Sequence, residues 1–224
     1  MVPATPGVAG RAVAEAIGTA LLLAAIVGSG IMAERLADGN AALALLANAI
    51  ATGAALYALI LAVAPLSGAH FNPLVTLAAA SAGELRRAAV APYLLAQALG
   101  AIAGTWLAHL MFDLPILQVS THLRSGPGQW AGELVASFGL LVVIASGKRH
   151  FPASLAGAVA CYITAAYWFT SSTAFANPAV TVARALTDTF AGIAPASVPG
   201  FILAQSLAGV AAVVLWRSLD RVAR

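Results

Sequence analysis

From Gly39 to Gly83 the chain carries no Asp, Glu, Lys or Arg, and Phe151 to Ala183 is equally free of them. A helix crosses the apolar part of a bilayer with roughly 20 residues, so the first run is too long for one span. It cannot be two uninterrupted helices either, because Pro65, Gly68 and Pro73 fall inside it. Pro178 breaks the second run in the same way. One full span followed by a half-length helix that enters and leaves on the same side fits both. Such backbone is tolerated at membrane depth only where it is buried in protein or lines a watery cavity. The pattern therefore points to a pore or a transporter.

The rest of the sequence agrees with a membrane setting. Of 224 residues 61% are hydrophobic and 8% charged, and mean hydropathy is +0.93; soluble domains carry about 25% charged residues. Six segments have the length and composition of spans: 12–33, 41–64, 89–111, 130–147, 152–170 and 197–216. The fourth is the weakest, since Glu133 lies within it. Residues 12–33 are too long an apolar run for a signal peptide and are expected to form the first span. The fold class expected is an all-α membrane protein with six transmembrane helices and two re-entrant half-helices, in a single domain over 1–224. In that topology Arg11, Arg86, Arg87, Lys148, Arg149, Arg217, Arg221 and Arg224 share one side, eight of the eleven basic residues. The positive-inside rule then puts both termini in the cytoplasm. The basic residues form no stripe suited to nucleic acid. The single cysteine, Cys161, excludes an internal disulfide and is expected to be a small buried residue.

The chain also repeats itself. VAEAIGTALLL (13–23) resembles AGELVASFGLL (131–141), aligning Glu15 with Glu133. HFNPLVTLA (70–78) matches FANPAVTVA (175–183), and YLLAQALGA (93–101) matches FILAQSLAG (201–209). Each half, about 8–112 and 127–217, holds three spans. An odd number makes the second half enter from the opposite side, which gives an inverted repeat about an axis in the membrane plane.

Within each repeat an Asn precedes a Pro. Proline suits the first helical position and asparagine the N-cap, so the half-helices are expected to start at Asn72-Pro73-Leu74 and Asn177-Pro178-Ala179. Inversion brings the two N-termini together near mid-membrane, each with roughly half a positive charge. There the amides offer donors to a passing neutral molecule while the dipoles oppose cations.

On SGAHFNP, ANPAVT, the Ala14–Thr19 start and the two AQ motifs at Gln97 and Gln205, the chain resembles the aquaporin and aquaglyceroporin family over nearly its full length. The resemblance implies a tetramer with one pore per subunit, embedded in lipid, conducting water and small uncharged solutes without a cofactor or enzymatic activity. The first motif departs from the family's usual Asn-Pro-Ala by ending in Leu74, with altered packing or pore width expected. The Arg that usually follows the second motif is replaced by Val180. By spacing from the motifs, Thr52, Ala165 and Ala174 complete the outer constriction, which should then be wide and weakly polar. Members with altered filters are associated with neutral metalloid acids such as arsenous acid. Glycerol-like polyols and such acids, with water, are therefore the expected solutes. A water-selective pore and a proton-coupled transporter are the alternatives.

Arg184, one turn beyond Val180, can reach back to the vacated site, but pairing with Asp188 is the expected arrangement. His70 either lines the pore or holds the loop. Glu15 and Glu133 are intramembrane carboxylates; proton coupling is one reading, and acceptance of hydrogen bonds from the re-entrant loops is the favoured one. Gln97 and Gln205 are expected to bridge helices. His109 and Asp113 are a poor metal pair and are expected to reach the interface. Gly18, Gly100 and Gly104 read as helix crossings. The sequence holds neither a metalloprotease H-E-x-x-H nor a G-x-S-x-G nucleophile elbow, nor a phosphate-binding glycine loop.

Overall fold

In the computed structural model, residues 6–222 are described, and of 220–222 only the backbone. Residues 1–5 and 223–224, Arg224 among them, lie outside that range, as does the side chain of Arg221. The described residues form helices without any strand. Ala- and Leu-rich composition favours helix throughout, and six helices are long and apolar enough to span a bilayer. They are α1 (Val8–Leu36), α2 (Ala41–Ser67), α4 (Arg87–Met111), α5 (Pro127–His150), α6 (Leu155–Phe169, preceded by a 3₁₀ turn) and α8 (Val198–Val222). Between them lie two short helices, α3 (Pro73–Ser81) and α7 (Pro178–Ala183), the second prolonged by a 3₁₀ turn at Arg184–Leu186. Both start on an Asn N-cap followed by Pro.

The packing repeats between the halves. Helix α1 packs on α4 and α2 as α5 packs on α8 and α6. Each half-helix also leans on the opposite half, α3 against α8 and α7 against α4. Close approach has a local cause where α1 crosses α4. A Cβ on Gly100 or Gly104 would run into the Ala16 or Ala20 carbonyl oxygen, so the two backbones touch there. Gly18 serves a different purpose from the expected crossing: the Phe71 ring of the first re-entrant loop lies over it.

Two further expectations fail. Cys161 is exposed on the outer face of α6, because the buried positions of that helix, Val159, Ile163, Ala166 and Tyr167, follow a stripe that Cys161 does not share. His109 does not reach the interface. It is fully buried, its Nε2 2.8 Å from Thr187 Oγ1 and its Nδ1 2.9 Å from the Ile116 carbonyl. It ties the end of α4 to the segment after α7. No group of three or more potential metal ligands exists among the described residues.

Candidate channel site

Each re-entrant loop is held by its half's buried glutamate. Glu15 Oε1 accepts from Ser67 Oγ (2.6 Å) and the His70 N–H (2.9 Å), while Oε2 accepts from the Phe71 N–H (2.7 Å) and Gln97 Nε2 (2.9 Å). Glu133 repeats this with the Phe175 N–H (2.8 Å), the Ala176 N–H (2.8 Å) and Gln205 Nε2 (2.6 Å). Gln97 and Gln205 each also donate to a half-helix threonine, Thr76 at 2.9 Å and Thr181 at 2.8 Å. Both carboxylates are completely buried, and the donors around them replace the hydration such a charge otherwise needs.

The anchoring dictates which way the main chain faces. The described peptides are all trans, and a trans peptide points its C=O opposite to its N–H. With the His70 and Phe71 N–H groups turned to Glu15, the Ala69 and His70 carbonyls turn away from it, toward the lumen. The Ala174 and Phe175 carbonyls do the same opposite Glu133. Positive φ at equivalent places keeps the loops in this shape: Gly68 (95°), Ala69 (50°) and Phe71 (51°), against Thr173 (60°), Ala174 (49°) and Ala176 (48°). A non-glycine residue in that region costs of order 1–3 kcal/mol and persists only where its surroundings enforce it. The glutamates do so here.

At the meeting point the asparagines exchange bonds. Asn72 Nδ2 donates to the Ala176 carbonyl and Asn177 Nδ2 to the Phe71 carbonyl, both at 2.8 Å. Their Oδ1 atoms cap the half-helices, Asn72 through the Leu74 N–H (2.9 Å), Asn177 through those of Ala179 (3.0 Å) and Val180 (3.3 Å). A carboxamide nitrogen carries two hydrogens, so one on each remains for the lumen, which both residues line.

That lumen is a cavity of about 90 Å³ running past both loops, from Lys148 and Leu155 at one end to Thr52, Tyr167 and Arg184 at the other. Aliphatic side chains also line it, those of Leu22, Ile26, Leu56, Val75, Leu140, Ile163 and Val180. His70 lines it and also holds the loop, Nδ1 lying 3.1 Å from Thr76 Oγ1. Thr52, Ala174 and Val180 line it.

Ala165 does not. It is exposed on the far side of α6, and Tyr167 stands in the cavity wall instead, its hydroxyl 3.3 Å from Thr52 Oγ1. Two helical residues turn the side chain by roughly 200°, so a two-residue error in spacing exchanged lumen for outside. The signal lay in the helical period: Tyr167 is in phase with buried Ile163 and Val159, and Ala165 is not. Lys148, at the other end, was also missed; the sequence reading took it only for a topology marker.

The expected Arg184–Asp188 pair is absent. Arg184 is buried and lines the cavity, its Nε bonded to the Ala191 carbonyl and its guanidinium 3.4 Å from the Phe175 ring centre. Asp188 is exposed and occupied elsewhere: Oδ1 accepts from the Thr121 N–H (2.8 Å) and hydroxyl (2.9 Å). Those bonds hold the Asp188 carboxyl below its ordinary range. Four helical residues would bring the two side chains together, but the turn tightens to 3₁₀ at Arg184–Leu186 and Thr187 is already extended. Leu74 lies outside the cavity wall. It is buried toward α8, where a Cβ on Gly209 would meet its Cδ2 at 3.4 Å.

Six spans, two half-helices meeting head to head and a lumen of mixed lining between them define a transmembrane channel. The family model for the Major intrinsic protein matches residues 4–160. Aquaglyceroporin AqpS of Rhizobium meliloti (strain 1021) is 56% identical over 214 residues, covering 96% of this chain and 91% of the relative. Aquaporin Z of Rhodopseudomonas palustris is 36% identical over 138 residues, 58% of this chain and 56% of its own. Among solved structures the X-ray structure of the aquaglyceroporin from Plasmodium falciparum has the same fold, with a TM-score of 0.74 at 20% identity, covering 94% of this chain and 96% of that one. The chain belongs to the major intrinsic protein family and is an integral membrane channel, not an enzyme.

Proposed function

We propose that the channel passes small polyhydroxylated neutral solutes as well as water, glycerol-like polyols and neutral metalloid acids such as arsenous acid among them. The observation that carries this reading is the mixed lining of the lumen. Beside the ladder of loop carbonyls and two asparagine amides that the glutamate anchoring implies, the lining includes an aliphatic wall to which Val180 belongs. A solute with hydroxyls along one edge can exchange its hydration for that ladder while its less polar side rests on the wall. Charge is opposed twice: by the half-helix N-termini, a device of aquaporin-type pores in general, and by Arg184. Each glutamate is fully engaged by loop and glutamine donors, which favours a passive channel over proton coupling. The name of the AqpS relative, an aquaglyceroporin, supports the same solute class. On this reading Thr52, Tyr167, Ala174, Val180 and Arg184 form the constriction, and four copies assemble in a bacterial cell membrane with both termini in the cytoplasm.

The test is permeation into proteoliposomes of water, glycerol and arsenous acid, for the parent and Val180→Arg. The parent is expected to pass all three. In the variant a second guanidinium enters the lumen beside Arg184, and the larger solutes are expected to fall about tenfold or more while water persists. A parent that passes only water overturns the reading.

A further inference from the structure

We infer that Arg124, in the loop between α4 and α5, is a positioning residue of the outer constriction, fixing where the Arg184 guanidinium stands in the lumen. This rests on the channel reading above. The loop following the 3₁₀ turn is gripped from two sides. Arg124 donates from Nε to the Gly192 carbonyl (2.8 Å) and from Nη2 to the Phe190 carbonyl (3.4 Å). The carbonyl between them, of Ala191, takes Nε of Arg184. Three consecutive carbonyls are thus shared alternately by two arginines, so the segment that orients Arg184 is itself oriented by Arg124. The two side chains also share a ring. The Arg124 guanidinium carbon lies 5.3 Å and that of Arg184 3.4 Å from the centre of Phe175. Phe175 is fixed in turn by its N–H to Glu133 and by an edge contact with Phe201, ring centres 5.1 Å apart.

Arg124 is seated, not loosely draped. Its own N–H donates to Ser197 Oγ (3.1 Å), and the neighbouring His122 carbonyl accepts from the Ala194 N–H (2.7 Å). The ion pairs His122–Asp188 and Lys148–Glu84 involve neither arginine. Both guanidiniums are held by main-chain carbonyls and an aromatic face at this end of the lumen. A planar fork serves two carbonyls and a ring at once, which a lysine ammonium does not. The fork sets the geometry, and the charge adds to that of Arg184 against cations.

The measurement is glycerol and water permeability, with proton leak followed by an entrapped pH dye, in proteoliposomes of the parent, Arg124→Gln and Arg124→Lys. Arg124→Gln is expected to raise the glycerol-to-water ratio about threefold and the proton leak several-fold, because Arg184 loses its fixed seat and one charge is gone. Arg124→Lys should shift the ratio similarly while holding the proton leak near the parent's. A ratio and leak unchanged in Arg124→Gln, or all fluxes falling in one proportion, overturn the proposal. Should Arg124→Gln not fold, an unchanged ratio in Arg124→Lys overturns it alone. A parent no more permeable than empty liposomes overturns the channel reading itself, which separates the two failures.

Discussion

The first re-entrant segment presents His70 where the second presents Phe175, and Leu74 where the second has Ala179. At the position of Arg184 the first half holds Ala79. Most of what holds the loops in place is shared: a buried glutamate, a glutamine beside it, a threonine one turn into the half-helix, an asparagine cap and three residues of positive φ; the Ser67 hydroxyl on Glu15 and the His70 ring on Thr76 belong to the first half. Even the residues flanking the asparagines on the lumen match, Val75 with Val180. Duplication conserves the parts that satisfy main-chain groups, because an error there strands donors away from water. The parts that face the solute carry no such debt and have diverged. One half presents an imidazole, the other a guanidinium held over an aromatic ring.

Removing a glutamate tests the shared frame most severely. Glu15→Leu and Glu133→Leu each leave two loop N–H groups and one glutamine N–H without an acceptor, and each is expected to cost about 3 kcal/mol or more. Thermal unfolding in detergent should show both variants badly destabilised, to a similar degree. If one is tolerated, the frame is less symmetric than its hydrogen bonds.

The divergent position beside each motif comes next. Leu74→Ala is expected to cost about 2–3 kcal/mol through the cavity left against Gly209. Ala179→Leu puts the large residue in the second half, where Ala101 matches Gly209 by repeat position. Overpacking there should cost about 1–3 kcal/mol, and Ala101→Gly should recover part of it. A double-mutant cycle on melting temperature measures the coupling.

His70→Phe makes the first loop resemble the second. It removes one hydrogen bond, to Thr76, worth about 1 kcal/mol. The folded channel should survive with glycerol flux lowered a few-fold, read by stopped-flow light scattering. The smallest effect expected concerns pH at the outer loop. Thr121 stabilises the charged form of Asp188 and depresses its pKa, so this contribution is complete above the unfolded value of about 3.9 and lost only as pH falls through the lower folded one. At pH 8, well above that range, protease nicking of the 112–126 loop should therefore be somewhat faster in Asp188→Asn, whose amide oxygen accepts less strongly from Thr121, than in the parent.

The spans, the half-helices and the paired Asn-Pro start sites could be read from residue patterns because each follows from a local rule: run length, proline placement, capping. The match of Glu15 to Glu133 was legible because the repeat survives as sequence. Tyr167 was not, since spacing counted across an unaligned loop slipped by two residues, and two residues reverse a helix face. Arg184 failed for another reason. Its pairing with Asp188 presumed that the α-helix continues, and only the tightening to 3₁₀ and the carbonyl of Ala191 show otherwise. Arg124 gave no signal at all, because its partners are main-chain oxygens about 70 residues away, which no side-chain pattern records.

The orientation of the peptide planes in the two loops has a consequence for how such a channel changes over generations. On the proposed reading, much of what a solute meets beside the loops is main chain, whose polarity no substitution can delete. Side chains around the lumen are therefore free to vary in size and charge without abolishing a route through the membrane, so long as the two glutamates stay. On the proposed reading, exchanges at Val180, Thr52 or Tyr167 would change which solutes pass without closing the route.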